Sequence, residues 1–226
     1  MDTGSRTGSM ERGGASMSVS AEPVLPALFV DVPAVVPNVI VDLRYAGPNN
    51  FVGVRVDGYE AERALLTRPA AEAAARVAEG LARQGLVLKL LDCYRPTRAV
   101  AHFARWAADT NDLGTKADFY PDHDKPELFD LGYIAGRSSH SRGSTLDLTL
   151  AHASDGTELD MGTPFDLFSE RSWPASLAVT DAQRDNRRLL AAAMTDAGFE
   201  PFLMEWWHFT LKGEPFPDTY FDAPIR

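Results

Sequence analysis

Between Ser138 and Leu150 the chain changes character at Gly143. Ser138-Ser139-His140-Ser141-Arg142-Gly143 gives way to Ser144-Thr145-Leu146-Asp147-Leu148-Thr149-Leu150, in which leucine takes every second place. Successive side chains of a strand point to opposite faces, so this spacing predicts a strand that buries Leu146, Leu148 and Leu150 and presents Asp147 between Thr145 and Thr149 on its other face. Gly143 can take a turn conformation that folds the preceding loop, and His140 with it, back towards Asp147. An imidazole and a carboxylate then converge. The plainer alternative is a loop histidine and a solvated strand aspartate.

The rest of the chain frames this segment. Residues 38–45 alternate as a strand and run into the turn formers Ala46-Gly47-Pro48-Asn49-Asn50. Pro69 suits a first helical turn, with Thr67 or Arg68 as cap, and Ala70, Ala73, Ala74, Val77 and Leu81 recur at helical spacing until Gly85. Residues 86–91 read as a largely buried strand ending at Asp92-Cys93-Tyr94-Arg95, before Pro96 opens a helix towards Asp109 with Val100, Phe103, Trp106 and Ala107 on one face. Residues 111–136 look irregular. Thr180 with Gln183 forms a capping-box pattern, Leu189, Leu190, Ala193 and Met194 make a buried stripe, and Gly198 stops that helix before strand-like residues 199–210. Strands and helices do not alternate regularly, which favours an α+β fold, a mainly antiparallel central sheet flanked by helices, over a doubly wound one.

Composition narrows the function classes. The 226 residues, 45% of them hydrophobic, suit one domain with a sizeable core, taken as residues 22–226. Residues 1–21 are too poor in apolar side chains to offset their ordering and are expected to form a flexible tail, with Met10 or Met17 as alternative starts. A formal charge of -10 is the wrong sign for a nucleic-acid or anionic-membrane partner. Cys93 stands alone, so the fold needs no intrachain disulfide and no cysteine-rich zinc motif is available. The apolar run 24–36 is broken by Pro26, Asp31 and Pro33 and falls short of the roughly 20 residues of a membrane span. No secretion signal is visible, and the expected location is the cytoplasm.

A second chemical segment is Glu205-Trp206-Trp207-His208, set among apolar residues from 199 to 209. A Glu and a His buried there need partners, and a metal is an economical one. Two histidines and a carboxylate would leave zinc a fourth position for water, the pattern of a catalytic site, with Glu205 as base. In the alternative, a core histidine is hydrogen-bonded and Glu205 reaches solvent. Residues three apart face opposite ways on a regular strand, so a shared site requires a bulge, a bend or a helical turn.

Taken together, Ser138-x-His140-x-x-Gly143-x-x-x-Asp147 and Glu205-x-x-His208 resemble the zinc-site signature of the D-alanyl-D-alanine dipeptidases of the VanX type, zinc peptidases related to murein carboxypeptidases and the hedgehog fold. Asp92-Cys93-Tyr94-Arg95-Pro96, Gly132-Tyr133, Met161-Gly162-Thr163-Pro164-Phe165-Asp166 and Tyr220-Phe221-Asp222 agree with that family, and the resemblance runs from Val39 to the C-terminus. It implies one zinc ion per chain on His140, Asp147 and His208, with Glu205 as general base and acid and Arg95 facing the scissile carbonyl. It implies a small dipeptide as partner, Asp166 meeting its ammonium group and Ser138 and Tyr133 taking part in recognition. Asp92 would orient Arg95, or be an ordinary turn residue. The implied reaction is hydrolysis of D-Ala-D-Ala to two D-alanines. The alternatives are a zinc carboxypeptidase acting on longer peptidoglycan stems and a non-catalytic zinc-binding module, against which Glu205 argues. Tyr45, Asn50 and Phe51 have no assigned role, His102, His123 and His152 are bystanders, and Cys93 is a packed thiol.

If the first residues lack the apolar content to dock, deleting residues 1–20 leaves the thermal midpoint unchanged. A clear drop in that midpoint would show that the segment packs.

Overall fold

The computed structural model describes Met1 and residues 22–226, so the expected tail, Met1 apart, lies outside the described residues. Twelve elements follow one another: β1 (Phe29–Asp31), β2 (Ile40–Val41), β3 (Leu65–Thr67), α1 (Arg68–Ala82), β4 (Leu86–Asp92), α2 (Thr97–Ala108), α3 (Lys116–Phe119), α4 (Glu127–Asp130), β5 (Thr145–His152), α5 (Asp181–Asp196), β6 (Phe199–Pro201) and β7 (His208–Leu211). The central sheet has the order β2-β4-β5-β7-β6, and β1 pairs separately with β3. Only β2 with β4 is parallel; every other pair is antiparallel. This is the α+β architecture the sequence predicts.

Local chemistry accounts for the elements. Thr67 precedes α1 with Pro69 in the first turn, but its hydroxyl meets Ser144 Oγ at 2.7 Å instead of capping the helix. The face of α2 formed by Val100, Phe103, Trp106 and Ala107 is buried. The capping box of α5 closes through Thr180 N to Gln183 Oε1 at 2.8 Å and Gln183 N to Thr180 Oγ1 at 3.3 Å, and Leu190 and Met194 are its fully buried positions. Residues 38–45 do not make a full strand: the ladder holds only Ile40 and Val41, because the chain then turns through Arg44–Ala46 and carries Leu43 and Tyr45 into the core. Residues 111–136 are irregular apart from the single turns α3 and α4.

The central strand β5 buries both of its faces. Leu146, Leu148 and Leu150 are inaccessible as expected, but so are Thr145 and Thr149, with Asp147 2% exposed. The polar face is covered from above: Thr145 Oγ1 meets Thr210 Oγ1 at 2.9 Å, while Arg95, His140 and His208 close over Asp147. Register places the chemistry. Asp92 of β4 pairs with Asp147 of β5, just past an irregularity after Leu90, and Asp147 pairs with His208 of β7. The stretch 199–210 is two strands joined by a bend, with His208 N donating to the Glu205 carbonyl at 3.4 Å. That bend brings Glu205 and His208 to one side.

Gly143 ends the 3-10 turn Ser139–Arg142 at φ 83°. A Cβ there would stand 2.3 Å from the Phe29 ring. Gly143→Ala therefore combines left-handed strain with overpacking and should cost about 2 kcal/mol or more, lowering the melting temperature by roughly 4–8 °C. An unchanged midpoint in a thermal melt would mean that Phe29 moves aside freely.

Candidate active site

The 3-10 turn before Gly143 presents His140. Ser138 Oγ accepts from the His140 amide at 3.3 Å, and His140 Nδ1 stands 2.7 Å from the Cys93 carbonyl. A carbonyl can only accept, so Nδ1 carries the proton and Nε2 keeps its lone pair. That Nε2 lies 3.3 Å from Asp147 Oδ2 and 3.3 Å from His208 Nδ1. His208 Nδ1 is 3.1 Å from Asp147 Oδ1, and its Nε2 is 3.3 Å from Ser139 Oγ. One ligand atom from each of His140, Asp147 and His208 lies within 4.8 Å of the others. Asp147 Oδ1 is buried yet makes no well-formed hydrogen bond. Two imidazole nitrogens and an unsatisfied anionic oxygen in one small space fit a metal cation, and this donor set suits zinc.

The titration pattern agrees with such a cluster. Burial opposes ionisation of Asp147, but His140 and His208 outweigh it and hold its carboxyl well below the usual range. Burial lowers the pKa of His140 despite Asp147 beside it, which keeps that ring neutral. His208 goes the other way, because Asp147 and Glu205 overcome its desolvation. Glu205 Oε2 lies 3.5 Å from His208 Nδ1, and burial raises the Glu205 pKa to about 7.

Arg95 flanks the cluster. Its Nε donates to Asp92 Oδ2 at 2.9 Å, its Nη2 is 3.5 Å from Asp147 Oδ2, and its guanidinium lies 4.9 and 5.2 Å from the ring centres of Tyr45 and Phe103. Asp92 is inaccessible and accepts from Tyr59 Oη at 2.6 Å on its other oxygen. It therefore sits behind Arg95, out of reach of a ligand. Asp166, 5% exposed, accepts from Tyr45 Oη at 2.8 Å, and burial keeps its pKa well above the usual carboxylate value. A cavity of about 480 Å³ is lined by Arg95, Tyr133, Ser138, Asp166, Glu205 and His208, with Asp147 at its base. Tyr133 stacks on Phe168 at 5.3 Å.

Thus every site residue singled out in the sequence converges on this cavity, with Asp92 one layer behind. Sequence reasoning gave Tyr45 no role and did not single out Tyr59, whose hydroxyls hold Asp166 and Asp92; a tyrosine carries no signal of so distant a partner. Cys93 serves through its backbone carbonyl, and its thiol is buried with a raised pKa. His102 accepts from the Asp57 amide, and His152 is exposed at the end of β5. His123 comes within 5.6 Å of the Tyr133 ring, nearer the cavity than its sequence context suggests.

An α+β fold with a His-Asp-His cluster and a neighbouring buried carboxylate defines a metallopeptidase. The chain belongs to the D-Ala-D-Ala dipeptidase family, Peptidase M15, whose family model matches residues 26–226, and it is an enzyme of the metallodipeptidase class. It is 44% identical to a D-alanyl-D-alanine dipeptidase of Enterococcus faecium over 77% of this chain and 86% of the relative. It is 46% identical to one of Streptomyces coelicolor over 76% and 86%, and 37% identical to one of Escherichia coli over 68% and 69%. Among solved structures, a vancomycin-resistance D,D-pentapeptidase in complex with Zn(II) overlays with a TM-score of 0.41 and 13% identity over 66% of this chain and 74% of that one, too slight a likeness to carry an argument. No described helix is long and apolar enough to cross a membrane.

The Glu205 carboxyl yields a test of burial on the metal-free protein. Its folded pKa of about 7 exceeds the ordinary 4.5, so its contribution to stability is full below about pH 4.5 and is lost as pH rises through 7. Metal-free Glu205→Gln lacks this loss and should gain on the wild type, by on the order of 3 kcal/mol, between pH 4.5 and 8. Thermal midpoints across that range measure it, and a constant difference would show that Glu205 titrates as an ordinary carboxyl.

Proposed function

We propose that this chain hydrolyses D-Ala-D-Ala to two D-alanines, using one zinc ion per chain held by His140, Asp147 and His208. The observation that carries the reading is the meeting, at one cavity, of a buried three-donor cluster with Glu205, 3.5 Å from His208 Nδ1, and Arg95, 3.5 Å from Asp147 Oδ2. Zinc bound there would polarise the scissile carbonyl and lower the pKa of a water molecule to roughly 7.

The protein's own groups supply the rest. Glu205, buried 3.5 Å from His208 Nδ1, is placed to accept a proton from the attacking water and to deliver it to the leaving amine. Arg95 is held between Asp92 and the rings of Tyr45 and Phe103, so its charge is in place before charge develops on the carbonyl oxygen. Asp92 acts on Arg95 and not on substrate. Asp166 meets the free ammonium of the dipeptide, with Ser138 and Tyr133 shaping the wall beside it. Blocking that amine removes a charge-assisted contact and leaves Asp166 unpaired, which favours free dipeptides over longer stems. This small dipeptide is then the partner, and the cytoplasm the location.

Metal analysis and steady-state kinetics on D-Ala-D-Ala test the reading. His208→Ala should lose zinc. Glu205→Gln should keep a full equivalent of zinc while kcat falls by about 10²–10⁴-fold, since the amide is nearly isosteric but accepts no proton. Arg95→Lys should lower kcat by on the order of 10²-fold, because an ammonium cannot reproduce the fixed planar fork. A near-wild-type kcat in Glu205→Gln would assign the base elsewhere, and a stem pentapeptide outperforming the dipeptide would favour the carboxypeptidase.

A further inference from the structure

Arg187, on α5, is 2% exposed, and its guanidinium donates only to neutral oxygens. Nε reaches the Met161 carbonyl at 2.7 Å, Nη1 the carbonyls of Trp173 and Arg171 at 2.8 and 3.0 Å, and Nη2 the Thr163 hydroxyl at 3.4 Å. Among the described residues no carboxylate lies within ion-pair distance, and Asp160 offsets only part of the desolvation, so the buried charge is expensive. Burial, with Arg171 adding repulsion, lowers its pKa to about 10. An apolar side chain of similar volume would fill the space more cheaply, so what the guanidinium adds is geometry: a planar fork that grips several carbonyls at fixed angles.

Those carbonyls bracket residues 161–173, the segment that carries Asp166. Asp166 has φ 62°, a left-handed conformation that is unfavourable for a non-glycine residue and persists where its surroundings over-determine it. The Thr163 hydroxyl also accepts from Trp206 Nε1 at 2.9 Å and lies 3.2 Å from Ser172 Oγ. Ser172 Oγ in turn donates to the Leu167 carbonyl at 2.7 Å, and the Trp206 amide donates to the Ser172 carbonyl at 3.1 Å. Trp206 follows Glu205 directly. One guanidinium thus joins α5 to the loop of Asp166 and, through Thr163, to the turn of Glu205.

We propose that Arg187 is a positioning residue that fixes the Asp166 loop and the Glu205 turn relative to each other, setting the spacing between the ammonium-binding and proton-transferring carboxylates across the cavity. This rests on the roles proposed above for Asp166 and Glu205. Of the proposed metal-binding residues, His140 and Asp147 lie on segments that the clamp does not touch, and His208 is held by its pairing with Asp147 in the sheet, so zinc content is expected to survive loss of the clamp.

The test uses the full-length zinc enzyme carrying Arg187→Met, Arg187→Lys or Thr163→Val, with Asp166→Asn as control, well below each melting temperature. Zinc content should stay at the wild-type value. Because a displacement of about 1 Å costs up to 10²-fold, kcat/KM for D-Ala-D-Ala should fall about 10-fold or more, and its advantage over N-acetyl-D-Ala-D-Ala should narrow. Exchange of the Trp206 indole N–H, followed by NMR, should accelerate. Arg187→Lys should not restore either property, since an ammonium lacks the fork. A folded, zinc-loaded Arg187→Met that keeps kcat/KM and the free-to-acetylated ratio within about twofold would overturn the proposal, as would unchanged indole exchange. If the Arg187 variants do not fold, Thr163→Val decides by the same two readouts. Should Asp166→Asn itself leave the free-to-acetylated ratio unchanged, the substrate reading fails, and the indole exchange alone decides whether the clamp exists.

Discussion

The structure turns on a carboxylate almost entirely withdrawn from solvent. Asp147 sits on the central strand of a five-stranded sheet and is 2% exposed, and an isolated charge there would cost far more than a domain of this size can spare. Everything above it answers that cost. β4 contributes the strand end that leads to Arg95, β7 contributes His208 directly across the ladder, and the 3-10 turn before Gly143 lowers His140 onto it. One of its oxygens still lacks a well-formed hydrogen bond. A buried anionic oxygen of this kind is one a cation satisfies.

Around this point the protein sorts several acids by environment. Asp147, beside two imidazoles, is held ionised, while burial drives Glu205 and Asp166 towards their protonated forms. Groups of one chemical type are thereby set apart by their surroundings. Arg95 spans the divide, paired with Asp92 and near Asp147 while resting against Tyr45. Tyr45 in turn holds Asp166. Arg95 and Asp166 thereby share one aromatic support.

The second layer shows how much of the site's precision lies in residues that never face the cavity. Asp92 and Tyr59 aim Arg95, the Cys93 carbonyl sets the tautomer of His140, and Thr163 ties Trp206 to the loop of Asp166. Asp92 apart, whose place beside Arg95 the sequence already suggested, these contacts use main-chain atoms or common hydroxyls, so nothing in their residue types advertises them.

Much of the chain was legible without coordinates. The leucine alternation of β5, the Thr180 capping box, Pro69 at the start of α1 and the apolar face of α2 are local patterns, and local backbone physics is enough to realise them. Glu205 and His208 were legible because charged groups in apolar surroundings demand a partner, His140 and Asp147 because the leucine alternation and the turn at Gly143 point them towards each other, and the family resemblance joined the four into one site. The sequence alone did not show that the threonine face of β5 is also buried, that β2 ends after two residues, or that Tyr45 reaches Asp166, 121 positions away. Nor did it single out Arg187, which reads as an ordinary cation on an amphipathic helix until α5 is packed against residues 161–173. Periodicity and capping are decided within a few residues of the chain; burial on a second face, strand register and hydrogen bonds between distant segments exist only once the sheet has closed.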